Sequence, residues 1–328
     1  LGRTDFIRVP LPAAMISTES GEVLSFMRSR VDGRWRPRLL AIIGVALTAL
    51  LLSGCGSLVR LGYGQAPTLA YWWIDGYLDL DDVQSQRLRA DLDQWFDWHR
   101  RQQLPDYAAL LARAQREVTE PVTPQALCAW RDLALRRLDA ALERAAPPLG
   151  RLMVTLRPEQ LRHMERKLAK DGDDLRADFA QGDRDERARA SFKRTLERYE
   201  NLYGRLDDAQ RARLAQLLAA SPFDADAWLA ERERRNADML RTVSAAATGG
   251  DAAQAQAAVF VIAERALRSP RLEYRAYQER LVQENCALAA AMHNLTTPAQ
   301  RQHARGKLKG WEDDLRVLAG TTVGQTAR

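Results

Sequence analysis

The chain has 328 residues, 46% of them hydrophobic and 28% charged, close to the globular average of about 45–50% apolar and about 25% charged. This composition excludes wholesale disorder, a collagen-like repeat and a multi-span membrane protein, and three cysteines are too few for a disulfide-built miniprotein. The net charge of +6 invites a nucleic-acid reading, but residues 1–54 hold seven Arg and four acids, which leaves 42 basic and 39 acidic residues in 55–328. With no clustered basic stripe the body reads as a solvated surface of mixed sign, and no nucleic-acid partner is expected.

Residues 1–33 carry prolines at 10 and 12 and show no clear period. Met27 lies just before a group of arginines and makes a natural start, so 1–26 reads as a gene-model extension, or else as a long n-region. Arg34, Arg36 and Arg38 then precede an unbroken apolar run from Leu39 to Leu52, 14 residues long. A membrane-spanning helix takes about 20 residues. Positive charge, a short apolar stretch and small residues describe a secretory signal peptide, here predicted over 1–54.

The run ends in Leu52-Ser53-Gly54-Cys55. These four residues resemble the lipobox of bacterial lipoproteins. The resemblance implies cleavage before Cys55, a diacylglycerol on its sulfur and an acyl chain on the new amino terminus. Gly56, rather than Asp, follows the cysteine, which in that family's sorting rule implies the outer membrane. One acyl chain holds a protein only marginally, at about 0.8 kcal/mol per buried methylene, whereas two or three hold it almost permanently. The membrane is therefore an expected partner, through the acyl chains.

Residues 55–79 read as the lipidated terminus and a tether, because Gly56, Gly62, Gly64 and Pro67 discourage regular structure. The tether ends in Tyr71-Trp72-Trp73-Ile74, with Tyr77 close behind. Such rings suit either a core or a membrane interface, and both readings stand.

From residue 80 to 320 the apolar period is helical almost throughout: Leu88, Leu92, Trp95 and Phe96 in one stripe, Leu127, Trp130, Ala134 and Leu138 in another, and Leu308, Trp311, Leu315 and Leu318 near the end. Alternating β-branched runs are missing. The predicted fold is all-α, a multi-helix bundle or stacked helical hairpins with about nine or ten amphipathic helices, no sheet, and a flexible tail over 321–328. Pro105, Pro121, the pair Pro147-Pro148, Pro222, Pro270, Gly172, Gly204 and Gly249-Gly250 are expected to break it. Asp81, Asp207, Thr123 and Thr297 are expected to cap helices.

Four segments open alike: Leu80-Asp81-Asp82-Val83-Gln84, Leu156-Arg157-Pro158-Glu159-Gln160, Leu206-Asp207-Asp208-Ala209-Gln210 and Thr296-Thr297-Pro298-Ala299-Gln300. Ordinary capping accounts for them, since a polar or proline start followed by Gln satisfies free amides. They also look like the short leucine–threonine–glutamine motifs of periplasmic helical stress chaperones. Over 39–320 the chain resembles an uncharacterised family of Gram-negative lipoproteins, a domain of unknown function, through Leu61-Gly62-Tyr63, Gln65-Ala66-Pro67-Thr68, Tyr71-Trp72-Trp73, Leu104-Pro105-Asp106-Tyr107, His293-Asn294 and Trp311-Glu312-Asp313-Asp314-Leu315. That resemblance implies export and lipidation and no particular activity.

Chemistry is hard to find. Cys128 and Cys286 remain after Cys55, and in an oxidising compartment they make a possible disulfide, two buried thiols being the alternative. The four histidines, 99, 163, 293 and 303, show no zinc spacing. His99 beside Trp95 reads as a packed histidine, and His293 and His303 as solvated ones. The doublets Asp81-Asp82, Asp173-Asp174, Asp207-Asp208 and Asp313-Asp314 point in different directions on a helix and are no catalytic pairs. No nucleophile elbow, phosphate loop or dinucleotide fingerprint occurs. Neither metal nor cofactor is expected. The sequence points to a binding, scaffold or chaperone-like protein facing the periplasm, with envelope proteins or unfolded clients as partners. The alternative is a hydrolase of cell-envelope material.

Overall fold

The computed structural model describes residues 62–180 and 182–320. Leu52-Ser53-Gly54-Cys55 and the apolar run before it lie outside them. Among the described residues there are eleven α-helices, one π turn and no strand: α1 Ala66–Leu78, α2 Asp82–Trp98, the π turn His99–Gln103, α3 Leu104–Glu117, α4 Pro124–Met153, α5 Pro158–Phe179, α6 Arg184–Tyr203, α7 Asp208–Ala219, α8 Ala225–Gly249, α9 Ala252–Leu267, α10 Leu272–Asn294 and α11 Pro298–Leu318. The fold is an all-α bundle, as the apolar period predicts. None of these helices is long and apolar enough to cross a membrane.

The helices gather around two main apolar centres. In the first, Leu104, Ala108 and Leu111 of α3 meet Tyr199, Leu202 and Tyr203 of α6, Leu214 of α7 and Ala304, Leu308 and Leu315 of α11. In the second, α1, α2, α4, α5, α8 and α9 pack through smaller clusters such as Tyr71–Leu88–Leu152 and Leu156–Met164–Val243. The chain passes repeatedly between the two centres. A seam of α4 against α10 joins them, with Leu127, Cys286, Ala289 and Ala290 at its middle.

Several expected breaks are absent, for local reasons. Residues 66–78, expected in a tether, form α1, with Pro67 in its first turn, where a missing N–H costs nothing. Tyr71 of α1 is buried against Leu88 and Leu152, so this stretch belongs to the body. Pro105 does not end a helix either: the π turn carries the chain from α2 straight into α3, with the Leu104 N–H donating to the His99 carbonyl. The wider turn gives the proline ring room that an α turn would deny it. The 30-residue α4 runs through Pro147 and Pro148. There it lies on α9 with backbones touching: a Cβ on Gly150 would stand 2.6 Å from the Gln256 nitrogen. Ala146 and Gly150 of this turn are buried, which sets packing against the two helix hydrogen bonds the prolines cannot make. Gly172 sits inside α5, whereas Gly204 (φ +77°) and Gly250 (φ +66°) do terminate α6 and α8.

The caps follow the sequence. Asp81, Asp207, Thr123 and Thr297 accept the amide N–H of Gln84, Gln210, Ala126 and Gln300. The four similar openings do more than cap, because they meet in two pairs. Gln84 and Gln160 exchange side-chain hydrogen bonds at 3.2 and 2.8 Å, and Gln210 and Gln300 do so at 2.8 and 2.9 Å. Each glutamine oxygen also accepts its own cap residue's N–H. Each amide nitrogen also donates to a carbonyl just before the partner helix, at Thr155, Asp79, Leu295 and Arg205. One clasp ties α2 to α5 and the other ties α7 to α11.

Candidate functional site

Among the described residues no group of three or more His, Cys, Asp or Glu is placed to hold a metal ion. Two of the four histidines serve the packing. His99 stacks on Trp95 with ring centroids 4.9 Å apart and shares a 2.8 Å hydrogen bond with the Tyr63 hydroxyl; burial pushes its pKa down to about 4. His293, expected in solvent, is buried: Nδ1 pairs with the Tyr203 hydroxyl at 2.8 Å and Nε2 with the Glu120 carbonyl at 2.7 Å. His303 is exposed, as expected. Of the acidic doublets, Asp81 and Asp207 cap helices, Asp173 and Asp174 are exposed, and Asp313 pairs with Lys309. Leu52, Ser53, Gly54 and Cys55 lie outside the described residues. Cys128 and Cys286 do come together, on α4 and α10, with sulfurs at bonding distance and Cα atoms 5.6 Å apart.

The polar feature that sequence reasoning missed lies between α8, α9 and the start of α10. Glu231 on α8 is fully buried. Its Oε1 accepts the Ser269 hydroxyl at 2.6 Å and an Arg271 N–H at 3.2 Å. The other arm of Arg271 donates to Asp238 Oδ2 at 2.9 Å, and Asp238 also pairs with Arg241. Burial disfavours the charge on Arg271, but its hydrogen bonds and ion pairs with Asp238 and Glu231 prevail and hold its pKa above the ordinary value. Gln278 completes the arrangement by donating to the Leu267 carbonyl. The linker between α9 and α10 is thereby pinned to α8 through the pairs of Arg271 with the buried Glu231 and Asp238.

Above this floor α8 and α9 leave a groove with a cavity volume of about 190 Å3, lined by Arg232, Arg235, Arg265, Asp238, Met239 and Ile262 among others. The i, i+3 spacing of Arg232 and Arg235 places both guanidinium groups on one face of α8. Arg235 donates to the Ala266 carbonyl at 2.8 Å. The Nε–H groups of Arg232 and Arg235 are buried without a hydrogen-bond partner among the described residues, and burial lowers the pKa of Arg235. A donor removed from water and left unpaired costs about 1–3 kcal/mol. The carboxylates beside these arginines, Asp238 in the lining and Glu231 near Arg235, are already shared with Arg271 and Arg241, so the groove has spare positive charge and spare donors. Met239 and Ile262 make part of its wall apolar. The chemistry this arrangement can perform is recognition of an anionic group with an apolar neighbour.

A larger, more open recess of about 460 Å3 lies beside the π turn, lined by Gln94, Asp97, Trp98, Arg101, Gln102 and Arg144. Its Asp97 and Arg101 pair with each other and are mostly exposed, so it has no comparable unmet demand.

Compared with known proteins, the chain belongs to a family of unknown function, DUF6279, which it matches over residues 76–275. The whole groove lies inside the matched stretch. No curated protein and no solved structure matches the chain.

Proposed function

We propose that this member of the family is a lipid-anchored binding protein of the Gram-negative envelope. Acyl chains on Cys55 hold it at the inner face of the outer membrane, and its helical body faces the periplasm. The α8–α9 groove takes the anionic group of an envelope component. The observation that carries the binding half is the pair of buried, unpartnered Nε–H groups of Arg232 and Arg235 beside an apolar wall. What supports the anchor is the sequence Leu52-Ser53-Gly54-Cys55 after a basic and then apolar leader.

The test uses full-length protein purified with its leader processed in the cell. Titration with dodecyl phosphate is expected to saturate, to weaken with added salt, and to lose about tenfold or more in affinity in Arg232→Gln/Arg235→Gln. No binding of dodecyl phosphate or dodecanoate by the parent overturns the groove. Palmitate incorporation that survives Cys55→Ala overturns the anchor.

One observation favours a second reading, hydrolysis of envelope material: Glu231 and Asp238 converge beneath the same groove. Each carboxylate gives one oxygen to Arg271, and Glu231 Oε2 is buried without a hydrogen-bond partner among the described residues, 3.6 Å from Arg234. Carboxylates held charged by arginines suit a structural floor better than a proton donor. Turnover of peptidoglycan or of a phosphate-ester probe, abolished by Glu231→Gln with the fold retained, would establish that reading instead.

A further inference from the structure

We propose that the outward face of α1 lies on the bilayer surface beside the anchor, so that the protein is held by a second, aromatic contact as well as by its acyl chains. This inference rests on the lipidation of Cys55 and adds a docking surface to it. Trp72 and Trp73 are 53% and 43% exposed, while Ala70 and Tyr71 on the other side of the same helix are buried. Two neighbouring exposed tryptophans are costly in water and suit the headgroup region, where the ring's apolar body and polar N–H are both accommodated.

The charge pattern agrees. In a chain that is 28% charged, residues 62–78 carry a single charge, Asp75, and its carboxylate is used locally, accepting the Leu80 N–H at 3.0 Å. No Lys or Arg occurs from 61 to 86. The nearest cations are engaged elsewhere: the Arg89 guanidinium stacks on Tyr71, on the buried side of the helix, and Lys167, 5.2 Å from the Tyr77 ring centroid, is paired with Asp171. An aromatic strip without exposed charge suits the headgroup region, where a charged face would hold water.

Chain length selects the bilayer over a protein partner. Cys55 and Gly62 are seven residues apart, a span of at most about 25 Å when fully extended. The acyl anchor therefore keeps α1 close to the membrane permanently, at an effective concentration that makes even weak contact persist.

The test reconstitutes the full-length acylated protein into vesicles of phosphatidylethanolamine and phosphatidylglycerol carrying a diazirine phospholipid. After irradiation, lipid adducts are mapped by mass spectrometry, with the acyl state of Cys55 read from the same digest. Adducts are expected on the tryptic peptide 61–87, falling about tenfold in Trp72→Ser/Trp73→Ser while helical content and the unfolding midpoint stay as in the parent. Acylated Cys55 with no adducts on α1 overturns the docking and leaves the anchor standing, and assigns the face to a protein partner. An unmodified Cys55 overturns the anchor and the docking with it. Adducts undiminished in the double variant also overturn the proposal, since the tryptophans would then make no contact.

Discussion

The side-chain amides of Gln84 and Gln160, 76 residues apart, hydrogen-bond each other in both directions at the start of two different helices. Both are almost fully buried, and each serves its own cap and its partner's preceding loop at once. Replacing either by Ala strands several buried groups. Gln160→Ala is expected to lower stability by about 2–4 kcal/mol, and Gln84→Ala/Gln160→Ala by clearly less than the sum of the singles. Urea midpoints at constant m-value check this. Additive losses would mean that the two amides act independently.

The Cys128–Cys286 pair spans 158 residues and ties α4 to α10 across the seam between the two apolar centres. Closing so long a loop in the unfolded chain is expected to contribute about 3–5 kcal/mol. Reduction should lower the unfolding midpoint accordingly. Thiol labelling of the denatured, unreduced protein should find neither cysteine. Two labelled thiols at these positions would sink the expectation.

Glu231 is fully buried and its ion pair with the partly exposed Arg271 cannot be broken from the Glu231 side at low cost. Glu231→Ala is expected to destabilise by about 3–5 kcal/mol, because Arg271 and Ser269 lose their acceptor. A double variant, Glu231→Met/Arg271→Met, should recover much of that loss. Failure of the second change to compensate would show that Glu231 acts through other neighbours.

His99 sets a pH dependence with a definite sign. Its folded pKa of about 4 lies below the ordinary 6.5, so between these values the unfolded chain binds the proton more readily. Stability from this group is present above about pH 6.5 and is lost as the pH falls toward 4, by roughly 2–3 kcal/mol after allowance for residual solvent. Burial shifts His293 in the same direction. His99→Gln is expected to flatten the fall in urea midpoint between pH 6.5 and 4.5 relative to the parent; parallel curves would contradict it.

Gly150 marks the closest approach of two helices. A side chain there meets the Gln256 backbone at 2.6 and 2.9 Å, and backbone cannot swing aside. Gly150→Val is expected to cost about 2–4 kcal/mol by forcing α4 and α9 apart, seen as a lower thermal midpoint. Gly172→Ala, where a Cβ would meet nothing within 4 Å, should be neutral or slightly stabilising.

What was legible in the sequence was local. Asp81, Asp207, Thr123 and Thr297 could be read as caps because a cap is decided within four residues. The apolar stripes announced the helices for the same reason. What escaped was decided by partners far along the chain. The glutamines looked like ordinary capping because the second half of each clasp lies 76 or 90 residues away. Pro147-Pro148 looked like a break because propensity alone does not register the α9 backbone against Gly150. His293 looked solvated because its flanking Thr-Pro cap is exposed while its ring turns inward to Tyr203 and Glu120. The groove was hidden in a charge-rich helix, where arginines read as surface. The available clue was Arg232 and Arg235 at i, i+3 on one face, with Arg265 on the neighbouring helix.

The order in which the chain visits its two apolar centres bears on its biogenesis. Helix α11 covers the stripe of α3, built nearly two hundred residues earlier, so the first centre stays open until α11 has been made. A nascent chain that still lacks α11 therefore keeps part of the Leu104, Ala108 and Leu111 stripe uncovered. Removal of α11 is expected to yield insoluble material rather than a smaller folded unit, read by sedimentation of the truncated chain.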